Sequence, residues 1–297
     1  MFEGFKPFEI DVGDPIDEVR ISGLIKGDGP ALLLLHGHPQ NHRIWHRISA
    51  PLAERFTVVL TDLRGYGASS KPPGMPNHAN YSKRAMARDQ HEVMRRLGFE
   101  RYSICAHDRG ARVAHRLALD HPQAVERMML LDIAPTLAMY EATDRAFATA
   151  YFHWFLLIQP SPLPERLISA APHAWVDGVM GGRHAGLSVF APEALESYRT
   201  QLEDPAAVHG MCEDYRASAT IDLEHDRFDL DQGRRLELPL KVLWGAHGTV
   251  GRCFDPMREW RKVARRVEGR ALDCGHYIPE ERPDRLLDEL HDFMRTP

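Results

Sequence analysis

The sequence predicts an α/β fold, a mostly parallel central sheet flanked by helices and interrupted by a helical insertion. Three observations carry this. Continuous apolar runs such as Leu32-Leu33-Leu34-Leu35 alternate with amphipathic stretches, the rhythm of βαβ units. One run, 101–107, stops abruptly at Asp108-Arg109-Gly110, where a helical pattern begins at once. Between 134 and about 234 the alternation lapses into aromatic, proline-punctuated helical stretches without a strong strand.

In chain order, 8–12 and 19–24 read as short strands joined by a turn around Gly13-Asp14-Pro15. Residues 31–35 are uniformly apolar, as expected of a strand covered on both faces. They end in His36-Gly37-His38-Pro39-Gln40. Ile44, Trp45, Ile48 and Leu52 then recur at helical spacing. A fourth strand, 56–61, closes in the turn Asp62-Leu63-Arg64-Gly65-Tyr66-Gly67, and 82–97 reads as a helix stopped by Gly98. The fifth strand is 101–107, followed by a helix to about Leu119, and the sixth is 128–131. After the insertion come a strand at 240–244, a helix near 256–266, a short strand at 270–272 and a final helix at 283–294. The organisation expected is a core of 1–134 and 235–297 with a helical cap, 135–234, inserted after the sixth strand.

Composition excludes several classes of function. With 37 basic against 42 acidic residues, the net charge of -5 is too mild to suggest nucleic acid or an anionic membrane as partner. Hydrophobic residues at 43% and charged residues at 27% are ordinary for a soluble globular protein. No apolar run reaches the length of a bilayer span, and the N-terminus lacks the pattern of a signal peptide. Cys105, Cys212, Cys253 and Cys274 form no C-x-x-C pair, so free thiols in a reducing, cytoplasmic setting are the simpler expectation.

The chemistry gathers at Asp108. A tight strand-to-helix turn that lifts one side chain above the sheet is the nucleophile elbow of the α/β-hydrolase fold, and Asp108 stands where an esterase carries serine. An aspartate is already ionised near neutrality and can attack a saturated carbon, forming an ester. A histidine is then needed to activate the water that cleaves it. His276, after Gly275 and the last strand, is the candidate base. Many hydrolases of this fold place the acid after the strand at 240–244. Here Gly245-Ala246-His247-Gly248-Thr249 supplies none before Asp255, whereas the sixth strand ends in Asp132. Asp132 is therefore expected to orient His276, with Asp255 as the fallback. Backbone N–H groups of His38 and Arg109 should hold the oxyanion on the Asp108 carboxyl during ester hydrolysis. A lone Asp at a strand end is usually a turn former or helix cap. The conjunction of elbow, acid and late Gly-His in the expected order favours a triad.

Taken together, H-D-R-G-A-R at 107–112, H-G-H-P-Q at 36–40, D-L-R-G-Y-G at 62–67, H-W at 153–154 and C-E-D-Y-R-A at 212–217 resemble the fluoroacetate (haloacetate) dehalogenases. The resemblance spans about 29–276. It implies hydrolytic removal of halide from a short 2-haloacid, with water as co-substrate, no cofactor, no metal, and a homodimer. It also implies that Arg109 and Arg112 bind the substrate carboxylate, a match of guanidinium fork to carboxylate. His153, Trp154 and Tyr215 would give the halide its N–H and O–H donors. Bland alternatives for these three are packing within the cap.

Two positions depart from the family pattern. Ala106 stands where glycine is expected, and His38 where phenylalanine is expected, placing a titratable ring near the pocket. The nearest rival is an epoxide hydrolase with a cap tyrosine as acid, which leaves the paired arginines without a task. A non-catalytic protein that binds a small acid would need neither His276 nor Asp132. Asp222, Glu224, His225 and Asp226 resemble a metal site in composition only, since their spacing matches none.

Overall fold

The computed structural model describes residues 1–13 and 18–294; the turn expected around Gly13-Asp14-Pro15 lies outside these from residue 14 onward. Eight strands form one sheet: β1 (Lys6–Asp11), β2 (Arg20–Lys26), β3 (Ala31–Leu35), β4 (Thr57–Thr61), β5 (Tyr102–His107), β6 (Val125–Leu131), β7 (Leu236–Gly245) and β8 (Ala264–Leu272). Their order is β1-β2-β4-β3-β5-β6-β7-β8. β2 runs antiparallel to β1 and β4, and every pairing from β4 through β8 is parallel.

The apolar runs are continuous because both faces of the sheet are covered, and successive side chains point to opposite faces. Leu33, Leu35, Val59, Ile104, Ala106, Met128 and Val242 pack on one face with Met86, Met94, Val113 and Leu117 from the helices Lys83–Arg96 and Asp108–Asp120. Leu32, Leu34, Val58, Leu60, Cys105, Met129 and Leu243 pack on the other, with Trp45, Leu52, Leu286 and Leu290. The helix Lys83–Arg96 starts where expected, because the Ser82 hydroxyl accepts the N–H of Ala85 at 3.2 Å.

Two expectations change. Residues 42–53 are not one helix but a 3₁₀ turn, His42–Trp45, and a short helix, Ser49–Ala53. Pro51 has no N–H to give, and its ring would meet the carbonyl one turn back, so a continuous helix cannot cross it. The helix near 256–266 ends at Val263, and the strand expected at 270–272 is the nine-residue β8.

Between β6 and β7 lie eight α-helices, and proline opens several of them: Pro172–Gly181, Pro192–Thr200 and Pro205–Ala219. Proline suits a first helical turn, whose N–H groups have no partner within the helix. This segment hangs over the C-terminal edge of the parallel strands. β4 lies on one side of β3 and β5 on the other, so the strand order reverses at the β3/β5 crevice, where α/β sheets place their ligands.

Candidate active site

Asp108 begins its helix with φ of +47°, a left-handed conformation that costs roughly 1–3 kcal/mol in a non-glycine residue. The strain persists because both flanks of the turn are closely packed. A side chain at Gly37 would bring its Cβ within 2.4 Å of the Asp108 Cβ, and one at Gly110 within 2.3 Å of the His36 carbonyl oxygen. The Gly110 N–H donates to that same carbonyl at 2.8 Å. Glycine at these two positions lets the β3 turn touch the elbow. The His38 N–H then donates to Asp108 Oδ1 at 2.9 Å.

Asp108 Oδ2 faces His276 Nε2 at 3.9 Å. On the far side of the ring, His276 Nδ1 bonds to Asp132 Oδ2 at 2.5 Å. Asp132 accepts, so Nδ1 carries the proton and Nε2 presents its lone pair toward Asp108. Asp132 also has positive φ (+50°), and its Oδ1 accepts the Gly245 N–H at 2.9 Å. The backbone at His276 is fixed too, since His107 Nε2 donates to its carbonyl at 2.9 Å. All three triad side chains are buried. Burial pushes the Asp108 carboxyl up, but the attraction of His276, Arg112 and Arg109 among its neighbours outweighs it and holds the group well below the usual carboxylate range. This favours the carboxylate form of Asp108 near neutral pH.

These elements are those of a hydrolase, and relatives agree. Residues 30–283 match the model of the alpha/beta hydrolase fold family. Fluoroacetate dehalogenase from Burkholderia sp is 48% identical over 295 residues, covering 99% of this chain and 95% of that protein. The chain belongs to the fluoroacetate dehalogenase family of alpha/beta hydrolases. A crystal structure of a putative alpha/beta hydrolase from Nostoc sp PCC 7120 superposes with a TM-score of 0.96 at 50% identity, covering 100% of both chains. A soluble epoxide hydrolase from Corynebacterium sp. (strain C12) is more distant, 31% identical over 94% of this chain and 95% of its own length.

The two arginines of the elbow helix of this dehalogenase homologue are in unlike states. Arg109 is fully buried and bound to Asp214: Nε to Oδ2 at 2.9 Å, and Nη2 to Oδ1 at 2.8 Å. Asp214 also takes Lys83 Nζ and the Tyr66 hydroxyl (2.8 Å). Only Arg109 Nη1 is left without a partner. Arg112 bonds to neutral acceptors, Thr136 Oγ1 at 2.8 Å and the Ala134 carbonyl at 3.2 Å, leaving Nε without a partner. No carboxylate lies within ion-pair reach of it among the described residues. Burial, then the charge of Arg109, pulls its pKa down. An anion placed beside Arg112 would be welcome.

Above the elbow the helical segment brings His153, Trp154 and Tyr215 together, all buried. The His153 and Tyr215 rings lie 6.1 Å apart, and Trp154 and Tyr215 6.3 Å apart. Trp154 Nε1 has no partner, and the Arg112 guanidinium sits over its ring at 4.7 Å. Burial first, then Arg183, lowers the His153 pKa far below 6.5, so the ring is neutral and has one N–H to donate. His38 stacks on His153 at 5.6 Å and lies edge-on to Tyr215 at 5.3 Å. Its pKa is pushed down to about 3, chiefly by burial, and both ring nitrogens lack partners. Ala106, the other departure from the family pattern, sits in β5, and its methyl packs in the core.

Asp255, the fallback acid, instead caps the helix Pro256–Val263 by accepting the Arg258 N–H at 3.0 Å. Asp222 holds the Lys83 N–H at 2.8 Å, and the described residues contain no group of three His, Cys, Asp or Glu side chains able to hold a metal ion. Sequence reasoning missed four neighbours of the site. Asp214 pairs with Arg109, and Tyr151 places its hydroxyl 3.4 Å from His276 Nδ1. Trp175 lies edge-on to His38, and Arg183 covers the Tyr151 ring at 4.4 Å. Asp214 had a signal, being inside the C-E-D-Y-R-A motif. Arg183, in Gly181-Gly182-Arg183-His184, had none.

Proposed function

We propose that this enzyme hydrolyses the carbon–halide bond of a short 2-haloacid, a haloacetate such as fluoroacetate, to the 2-hydroxyacid. The observation that carries the reading is an ionised Asp108 beside Arg112, a buried guanidinium with no carboxylate of its own. The substrate carboxylate binds Arg112, aided by Arg109 Nη1, and this aims the α-carbon at Asp108. Asp108 Oδ1 is tied to the His38 N–H, so Oδ2 attacks, the carbon–halide bond breaks and an ester forms. Halide leaves toward the His153 N–H, Trp154 Nε1–H and Tyr215 hydroxyl, preset donors that replace its hydration.

In the second step His276 Nε2 takes a proton from water, and the resulting hydroxide adds to the ester carbonyl of Asp108. Negative charge develops on Oδ1, where the His38 N–H already points and the Arg109 N–H assists. Asp132 offsets the charge of the imidazolium. Collapse breaks the acyl–oxygen bond, the imidazolium of His276 returns its proton to the leaving alkoxide oxygen to give the hydroxyacid, and the carboxyl of Asp108 loses its proton to solvent.

In this reading the elements from 1–134 and 235–297 are the catalytic core domain, and 135–234 is the cap that closes it. No helix among the described residues is long and apolar enough to cross a membrane. Four free cysteines support a cytoplasmic setting, and the family resemblance supports a homodimer.

The epoxide hydrolase alternative has Tyr151 and Tyr215 as candidate acids but no use for the charge on Arg112. Ion chromatography of purified enzyme with fluoroacetate, chloroacetate and a panel of small epoxides decides between them. Halide and hydroxyacid in equal amounts are expected; diol without halide release would overturn the dehalogenase reading.

A further inference from the structure

A second feature of the hydrolase lies just outside the reacting centre. A chamber of about 290 Å³ has His276 in its inner wall, and around it stand Arg183, Arg252, His184 and His247. No carboxylate lines it. His184 and His247 stack at 4.2 Å, and His247 Nε2 bonds to Asp273 Oδ1 at 2.8 Å, beyond the wall. Neither arginine has an anion within ion-pair reach among the described residues. Arg252 has only a 3.4 Å contact from Nη2 to Thr249 Oγ1. Arg183 gives its Nε–H to the Val179 carbonyl at 3.2 Å and covers Tyr151, while its Nη1 is buried without a partner.

A guanidinium with no carboxylate beside it is matched in charge and geometry by a small anion. The substrate and both products of haloacid hydrolysis are anions. A wall of one charge sign over a low-dielectric surface raises the local concentration of the opposite sign. Arg183 links the chamber to the chemistry, because it packs on Tyr151, whose hydroxyl lies 3.4 Å from His276 Nδ1.

We propose that this chamber is an antechamber for small monovalent anions, taking up the haloacid carboxylate between Arg183 and Arg252 before it passes to Arg112. Its part in turnover rests on the dehalogenase reading; its affinity for anions does not.

Two measurements test it. Steady-state kinetics with chloroacetate compare wild type and Arg252→Glu across ionic strength. At roughly 0.02 M salt the variant should lose about 5- to 10-fold in kcat/KM, with the loss in KM rather than kcat, as expected where charges are weakly screened. At roughly 0.5 M, where screening reaches only a few ångströms, the two should agree within about twofold. Equal kcat/KM at low salt, or a loss confined to kcat, would overturn the role in uptake. Crystals grown with bromide should show an anomalous peak in the chamber of the wild type, absent from Arg183→Gln/Arg252→Gln. A wild-type chamber without bromide would overturn the anion site itself. Should wild type release no halide from any haloacid, the dehalogenase reading fails, and the bromide peak still decides the chamber.

Discussion

The active site has two halves built on opposite principles. On the sheet side, the atoms of Asp108, Asp132 and His276 that set orientation are held by hydrogen bonds: Asp108 Oδ1 by His38 N–H, Asp132 Oδ1 by Gly245 N–H, and His276 Nδ1 by Asp132. On the helical side, Trp154 Nε1 and Trp175 Nε1 are buried with no protein partner, as are both ring nitrogens of His38, which packs from the β3 turn against His153 and Trp175. A buried donor left unpaired costs about 1–3 kcal/mol. The sheet side therefore spends its interactions on orientation before the substrate arrives. The helical side leaves its donors free of protein partners, and in the proposed reaction the departing halide satisfies them. In the proposed reaction, orientation belongs to one half and leaving-group recognition to the other.

The sheet half breaks most completely. Replacing Asp108 with alanine removes the proposed nucleophile, and halide release should fall by at least about 10⁴-fold. His276→Ala separates the two steps. It should release one halide per active site in a burst and then stop, with the ester on Asp108 visible as an added carboxymethyl mass in intact-protein mass spectrometry. Steady turnover without a trapped ester would deny His276 its role in the second step.

The sheet half also holds a buried carboxyl with an unmatched acceptor oxygen. Glu280 is fully buried; its Oε1 accepts the Tyr198 hydroxyl at 3.0 Å and its Oε2 has no partner. Burial raises its pKa to about 8. The folded protein therefore holds this proton more tightly than the unfolded chain, so stability is greatest below the unfolded value and falls as pH rises toward 8. Glu280→Gln should flatten that slope and gain about 2–3 kcal/mol near neutral pH in urea unfolding, at about 1.4 kcal/mol per pH unit. A slope unchanged by the substitution would show that Glu280 is ionised in the fold.

Arg112 lies where the halves meet. Arg112→Leu should lower kcat/KM for chloroacetate about 10- to 100-fold, the value of one buried charge-assisted hydrogen bond. Arg109→Leu should instead cost stability, because it strands the buried Asp214 carboxylate. Similar kinetic losses with stability intact in both would erase the difference drawn between them.

Legibility followed the same division. Residues that act through local backbone geometry could be read in the chain: Asp108 from the abrupt end of β5, and Asp132 from the end of β6. The β3, β4 and β5 runs were plain because both faces are apolar. β8 was largely missed, since Arg265, Arg266, Glu268 and Arg270 cover the last strand of the sheet with charge, which guards an edge against pairing but leaves no apolar run to see. Long-range partnerships left no local trace. Arg109 and Asp214 are 105 residues apart, and no periodicity announces their pairing. Arg112 and Arg109, equal in sequence terms, separate only once Asp214 is seen to occupy one of them.

Trp154 gives the finest test of the helical half, because activity and stability should move in opposite directions. No protein atom accepts its Nε1–H, so Trp154→Phe removes a donor without a protein partner while keeping an aromatic ring beneath the Arg112 guanidinium. The fold should gain up to about 1 kcal/mol, as expected when a buried polar group without a partner is deleted. Turnover of fluoroacetate should fall about 10-fold, since fluoride is the halide that most needs a donor as it leaves. Chloroacetate, whose larger and more diffuse leaving ion depends less on any one N–H, should lose about threefold or less under the same reasoning. Equal losses on the two substrates would make the indole a packing residue. A stabilised variant with an unchanged fluoride-to-chloride ratio would break the claim that the unpaired donors are kept for the leaving group.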